Sequence, residues 1–159
     1  LERVAILDFD VHQGNGTIDI FHHDPRVLMC SSFQHPFYPF KHYHGMPDHV
    51  VNVMLKAGTD SAAYRKAITE GWLDALDRFQ PQLILVSAGF DAHRLDPLAD
   101  IELETEDYRW ITDTITAVAK AHCRGRVVSM LEGGYNLQVL ADGVEAHVRG
   151  LMEAGNPSV

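Results

Sequence analysis

Three short segments hold the residues whose types and spacing could do chemistry: Asp8-Phe9-Asp10-Val11-His12-Gln13-Gly14-Asn15-Gly16-Thr17, Ser87-Ala88-Gly89-Phe90-Asp91-Ala92-His93 and Glu132-Gly133-Gly134-Tyr135-Asn136. At the end of an extended strand, residues two apart share a side, so Asp8, Asp10 and His12 project together. Two carboxylates and an imidazole on one side repel and stay hydrated unless a cation joins them, and a divalent metal resolves that conflict. A helix-capping turn with ordinary surface acids is the better reading of a lone D-x-D, whereas the longer pattern after a buried strand favours the metal. Asp91 alone would be read as a helix N-cap. As a third ligand it makes Asp10, His12 and Asp91 a set with one open position, the arrangement by which catalytic zinc sites admit water and substrate. This set is harder than a structural cysteine site, so iron(II) is an alternative occupant in the cell. Tyr135 stands on a glycine turn. Either it anchors that turn as a buried phenol or, beside a metal, its hydroxyl donates to a developing oxyanion.

The elements that must position these groups are strands buried on both faces alternating with amphipathic helices. Val4-Ala5-Ile6-Leu7-Asp8-Phe9 is an apolar run of that kind, and similar runs follow at Val27–Phe33, Val50–Leu55, Leu83–Ala88 and Arg126–Leu131. Asp60-Ser61 caps a helix that Pro81 stops near Phe79, Thr105-Glu106-Asp107 opens a second, and a third begins near Asn136 with Leu140, Val144, Val148 and Leu151. Alternating strands and helices predict an α/β domain with an open, mostly parallel sheet flanked by helices. Function in such sheets collects at the carboxyl ends of the strands, where the three segments lie, together with Ser31 and Ser32 at the end of the second run.

Composition narrows the class. A chain of 159 residues with 46% hydrophobic residues carries one domain, or part of one. The formal charge of −9 disfavours nucleic acid and is compatible with a cationic substrate. No apolar run reaches the roughly 20 residues of a membrane span. The thiols Cys30 and Cys123 read as buried or idle in a reducing compartment, which makes the expected localisation cytoplasmic. Of ten histidines, His35, His42 and His44 fall in an aromatic, proline-broken loop read as a rim, while His22, His23, His49, His122 and His147 are expected at the surface or at helix ends. The chain opens on Leu1 and enters a strand almost at once, which reads as a piece of something longer.

Taken in order, the three segments resemble the signatures of the histone deacetylase superfamily, including its bacterial deacetylase-like and acetylpolyamine amidohydrolase members. The second signature extends through His93-Arg94-Leu95-Asp96-Pro97-Leu98, and the resemblance runs from about Val4 to about Gly150. It implies an arginase/deacetylase-like fold, a zinc ion held by Asp10, His12 and Asp91, and an oxyanion-stabilising Tyr135. It further implies a structural potassium ion held by the Asp8 and Ser31 side chains with backbone carbonyls of Asp10, His12 and Ser32, and a peripheral cation site on the turn 21–27. Phe37, Tyr38 and Gly134 resemble the wall of an acyl-lysine tunnel. Gln13 stands where many members carry a second histidine, Pro39-Phe40-Lys41 replaces a glycine-rich continuation of the tunnel loop, and Ala99 replaces a common glycine.

The resemblance also brings an expectation of incompleteness. The family's general acid/base is a tandem histidine pair upstream of the first signature; His22-His23 follows Thr17 and is the wrong pair. The chain is therefore expected to be the C-terminal half, residues 1–159, of one catalytic domain. It should be inactive alone on acetyl-lysine or acetylpolyamine, and should either self-associate as a homo-oligomer or require the N-terminal half. Two rivals stand beside the deacetylase: a ureohydrolase with two manganese ions, which needs a D-x-D pair near Asp91 where His93 stands, and a non-catalytic acyl-ligand-binding module.

Overall fold

The computed structural model describes residues 1–40 and 45–155. Five strands, β1 (Val4–Asp8), β2 (Val27–Gln34), β3 (Val50–Leu55), β4 (Leu83–Ala88) and β5 (Val127–Leu131), form one parallel sheet in the order β3-β2-β1-β4-β5. The helices are α1 (Asn15–Phe21), α2 (Ser61–Phe79), α3 (Thr105–His122) and α4 (Leu137–Gly155). This is the α/β architecture expected from the alternating pattern, with boundaries within a residue or two.

Local chemistry sets the helix ends. The Asp60 carboxylate accepts the Ala63 N–H at 2.9 Å to start α2, and Gln80, in the left-handed region ahead of Pro81, ends it. A reciprocal box between Glu104 and Asp107 opens α3, and Asn136 accepts the Gln138 N–H at the start of α4.

The chain runs outward from β1 through β2 to β3, then returns to the other side of β1 as β4. The strand order therefore reverses between β1 and β4, and in open parallel sheets the crevice beyond such a reversal is where ligands bind. Ala5, Leu7, Ile84 and Val86 pack with Ile68, Trp72, Ile111 and Ile115 in the larger core, beneath α2 and α3. On the opposite face, Ile6, Met29 and Val50 pack with Ile18 of α1 in a smaller cluster. By register Val128 pairs with Leu85 and Met130 with Ser87, so both lie on this second face, and they are 50% and 51% exposed. The apolar first run thus forms an interior strand, while the edge strand β5 leaves apolar side chains uncovered.

Candidate metal centre

The turns that leave β1 and β4 bring Asp10, His12 and Asp91 together at the reversal point, with one donor atom from each within 4.8 Å of the others. His12 Nδ1 lies 3.1 Å from Asp10 Oδ1 and 3.1 Å from Asp91 Oδ2. Backbone donors fix the carboxylates: Val11 N–H donates to Asp91 Oδ1 at 2.9 Å, His12 N–H to Asp10 Oδ1 at 2.8 Å, and Gly133 N–H to Asp10 Oδ2 at 2.8 Å. The last contact ties the turn after β5 to the one after β1. Glycine is needed on both sides of the cluster, because a Cβ at Gly89 would strike Asp10 and one at Gly133 would strike both Asp91 and Asp10.

Electrostatics follow from burial and crowding. Hydrogen bonds donated to the Asp10 and then the Asp91 carboxylate hold the His12 imidazolium, pushing its pKa up to about 10. Burial, opposed by the bond from His12, leaves the Asp91 carboxyl above the ordinary range. The site concentrates negative charge and attracts a cation. These three residues are the one His/Cys/Asp/Glu group of metal-binding geometry among the described residues, and their oxygen and nitrogen donors suit a zinc-class divalent ion.

The two capping readings are set aside by geometry. The residue before α1 is Gly14, with no side-chain cap, and no helix starts at Asp91. Asp8 shares a cavity wall with Asp10 and His12. β1 ends at Asp8, so Asp8 does not join the donor cluster; its carboxylate instead accepts the Asp10 N–H at 3.1 Å. Asp8 is buried, and that burial, with the charge of Asp10, holds its pKa well above the carboxylate range. It is level with Ser31 on β2, whose hydroxyl is buried without a hydrogen-bond partner among the described residues, and Ser32 is buried next to it.

Beside the cluster, Phe37 stacks on His12 at 5.4 Å between ring centroids and Tyr38 meets it edge-on at 6.2 Å. Tyr38, Glu132 and Tyr135 share the wall of a cavity of about 460 Å³ with Asp10 and His12. Gly134, at φ 147°, has no room for a side chain against Leu140 and Phe90. Tyr135 does not anchor its turn as a buried phenol: it is 51% exposed and its hydroxyl has no hydrogen bond among the described residues. Burial and the charges of Asp91, Asp10 and Asp96 raise its pKa, so the phenol stays a neutral donor.

The histidines divide differently from expectation. His42 and His44 lie outside the described residues. His93 is buried against Tyr108, accepts the Leu95 N–H through Nδ1 and does not join the metal cluster. His147 is no surface residue. It is 4% exposed, between Thr112 of α3 and Ser129 of β5, beneath Phe9 and Phe90. The Thr112 hydroxyl donates to the Tyr108 carbonyl at 2.6 Å, so it accepts from His147 Nδ1–H at 2.6 Å, leaving Nε2 to accept from Ser129 at 2.8 Å. Burial lowers the His147 pKa to about 4 and keeps the ring neutral. The missed signal was spacing: 140, 144, 147 and 151 form an apolar stripe, and Val148 is 43% exposed.

Residues 1–151 match the family described as the histone deacetylase domain. The chain belongs to the histone deacetylase domain family. It is 42% identical to histone deacetylase 10, chloroplastic, of Oryza sativa subsp. japonica, over 100% of this chain and 37% of that protein. The solved HDA15 HD domain superposes with a TM-score of 0.87 at 33% identity, over 99% of this chain and 46% of that one. The acetylpolyamine aminohydrolase of Burkholderia pseudomallei gives 0.82 at 29% identity, over 94% and 45%. The chain thus spans less than half the length of these relatives. No helix among the described residues is long and apolar enough to cross a membrane.

Proposed function

We propose that the protein is a metal-dependent amidohydrolase that removes acetyl groups from acetylated amines, either acetyl-lysine or acetylpolyamines, and that this chain supplies its metal ligands. The observation that carries the reading is the convergence of Asp10, His12 and Asp91 at the reversal of strand order, with His12 Nδ1 3.1 Å from each carboxylate. A zinc ion there, or iron(II), would act as Lewis acid toward the amide carbonyl and lower the pKa of a bound water. Asp10 and Asp91, fixed by backbone N–H donors, hold the ligand geometry, and Phe37 keeps the His12 ring oriented. Tyr135 donates a hydrogen bond to the oxyanion that forms as the amide becomes tetrahedral. Phe37, Tyr38 and Gly134 line the approach of the acyl chain.

Asp8 and Ser31, with the Ser32 backbone, form an inner cation site that we assign to potassium. A buried carboxylate beside an unpartnered hydroxyl fits a weakly hydrated ion. The acid/base histidines come from the N-terminal half of the same domain, and the uncovered Val128 and Met130 of β5 fit a surface that this half covers. In isolation the same face favours a homo-oligomer. The buried thiols Cys30 and Cys123 fit a cytoplasmic or other reducing compartment. The ureohydrolase reading is disfavoured because His93 stands outside the cluster and supplies no bridge to a second metal.

Acetate release by the full-length protein tests this reading, with an acetyl-lysine peptide and an acetylated diamine as substrates. The expected result is turnover of at least one, abolished by a chelator and restored by zinc. Turnover that survives complete metal removal would overturn it.

A further inference from the structure

Tyr135 carries its proposed role on a side chain that touches little, so something else must aim it. Its backbone is held instead. The Asp96 carboxylate, 6% exposed, accepts the Tyr135 N–H through Oδ2 at 2.8 Å and the Leu98 N–H through Oδ1 at 2.9 Å. One residue further, Asn136 Nδ2 donates to the Leu95 carbonyl at 3.0 Å. The segment 95–98, which follows Asp91 closely, therefore clasps the turn after β5 at two successive residues. That segment is itself fixed, since the Asp96 N–H donates to the His93 carbonyl at 2.8 Å and the Leu95 N–H to His93 Nδ1 at 3.2 Å. On the other side of the turn, Gly133 donates to Asp10 and accepts the Phe90 N–H at 2.8 Å. Between the two anchors lies Gly134 at φ 147°, a conformation that other residues rarely adopt.

We propose that Asp96 is a positioning residue: its buried carboxylate sets where the Tyr135 phenol points relative to Asp10, His12 and Asp91. This rests on the proposed role of Tyr135. A bond from a backbone N–H to an ionised carboxylate is short and about twice as strong as a neutral one. Both Asp96 oxygens are used, so no geometry lets an amide replace the carboxylate. In Asp96→Asn one of the two N–H donors faces an NH2 group, and the turn loses an anchor at unchanged side-chain volume. Asp96 acts on Tyr135 through the backbone, so the effect belongs to the step in which the phenol donates and leaves metal binding alone.

The test uses the zinc-loaded full-length protein and a cycle of Asp96→Asn, Tyr135→Phe and the double variant. Asp96→Asn is expected to lower kcat by about 10–100-fold, as for other supporting partners of a site, while KM stays within a few-fold and zinc content is unchanged. In the Tyr135→Phe background the same substitution should cost nothing further, because the group it aims is already gone. Asn136→Ser keeps the oxygen that starts α4 and removes only the bond to Leu95; a smaller, equally non-additive loss is expected, whether or not Asp96→Asn folds. Full activity of Asp96→Asn, or an equal loss with and without the Tyr135 hydroxyl, would overturn the assignment. Unchanged turnover in Tyr135→Phe would remove the role of Tyr135 itself, and the Asp96 assignment with it. Zinc lost from Asp96→Asn would place its effect at the metal and also overturn it.

Discussion

Two histidines of the domain have opposite surroundings. His12 sits between two carboxylates, and its pKa is drawn up to about 10. His147 sits between two hydroxyls, every ring nitrogen partnered by a neutral group, and burial takes its pKa down to about 4. The second arrangement is closed: donors and acceptors match, no net charge is buried, and nothing further is needed. The first is open, because two carboxylates and one imidazole leave negative charge uncompensated. Polar groups that satisfy one another build the frame, and groups that cannot do so mark where a ligand binds.

The largest effect that sharpens this contrast belongs to the open site. Tyr135→Phe in the full-length protein should reduce kcat by about 10²–10³-fold with little change in KM, because its bond forms only as the oxyanion develops. Steady-state kinetics decide it, and an unchanged kcat would leave Tyr135 with a structural part only. The closed site should answer in stability instead. His147→Leu takes the acceptor from the Ser129 hydroxyl, while Thr112 keeps its bond to the Tyr108 carbonyl, and should cost about 1–3 kcal/mol in urea unfolding, with metal stoichiometry intact. Metal loss at undiminished stability would erase the distinction between the two regions.

A smaller effect follows from proton linkage. The folded-state pKa of His147, about 4, lies below the ordinary value of 6.5, so between those values the unfolded chain binds a proton that the folded chain refuses. Stability therefore falls as pH drops from about 6.5 towards 4, at no more than about 1.4 kcal/mol per pH unit from this residue. Unfolding at pH 7 and pH 5 should reveal that slope in the wild type and a shallower one in His147→Leu. Equal slopes would place the proton uptake on another group.

How much of this was legible in the sequence depends on whether a residue acts locally. β1, β4 and the candidate cluster Asp10, His12 and Asp91 could be read because a buried strand followed by Asp-x-His or Gly-Phe-Asp is a local pattern. The sheet order, and with it the meeting of Asp10 and Asp91 at the reversal, depends on pairing across nearly 80 residues, as in the bond from Val11 to Asp91. His147 was legible in principle from its place on the apolar stripe of α4, but an isolated histidine near Val148 offered a competing register. Asp96 gave no signal as a positioning residue, because its partner Tyr135 is 39 residues away.

Metal analysis of the purified protein after zinc loading and dialysis tests the central claim most directly. One zinc-class ion per chain is predicted for the wild type and none for Asp10→Ala, measured by elemental analysis with folding checked by circular dichroism. Stoichiometric zinc in a folded Asp10→Ala variant, or two manganese ions per wild-type chain, would contradict the assignment of Asp10, His12 and Asp91 as a single-metal centre.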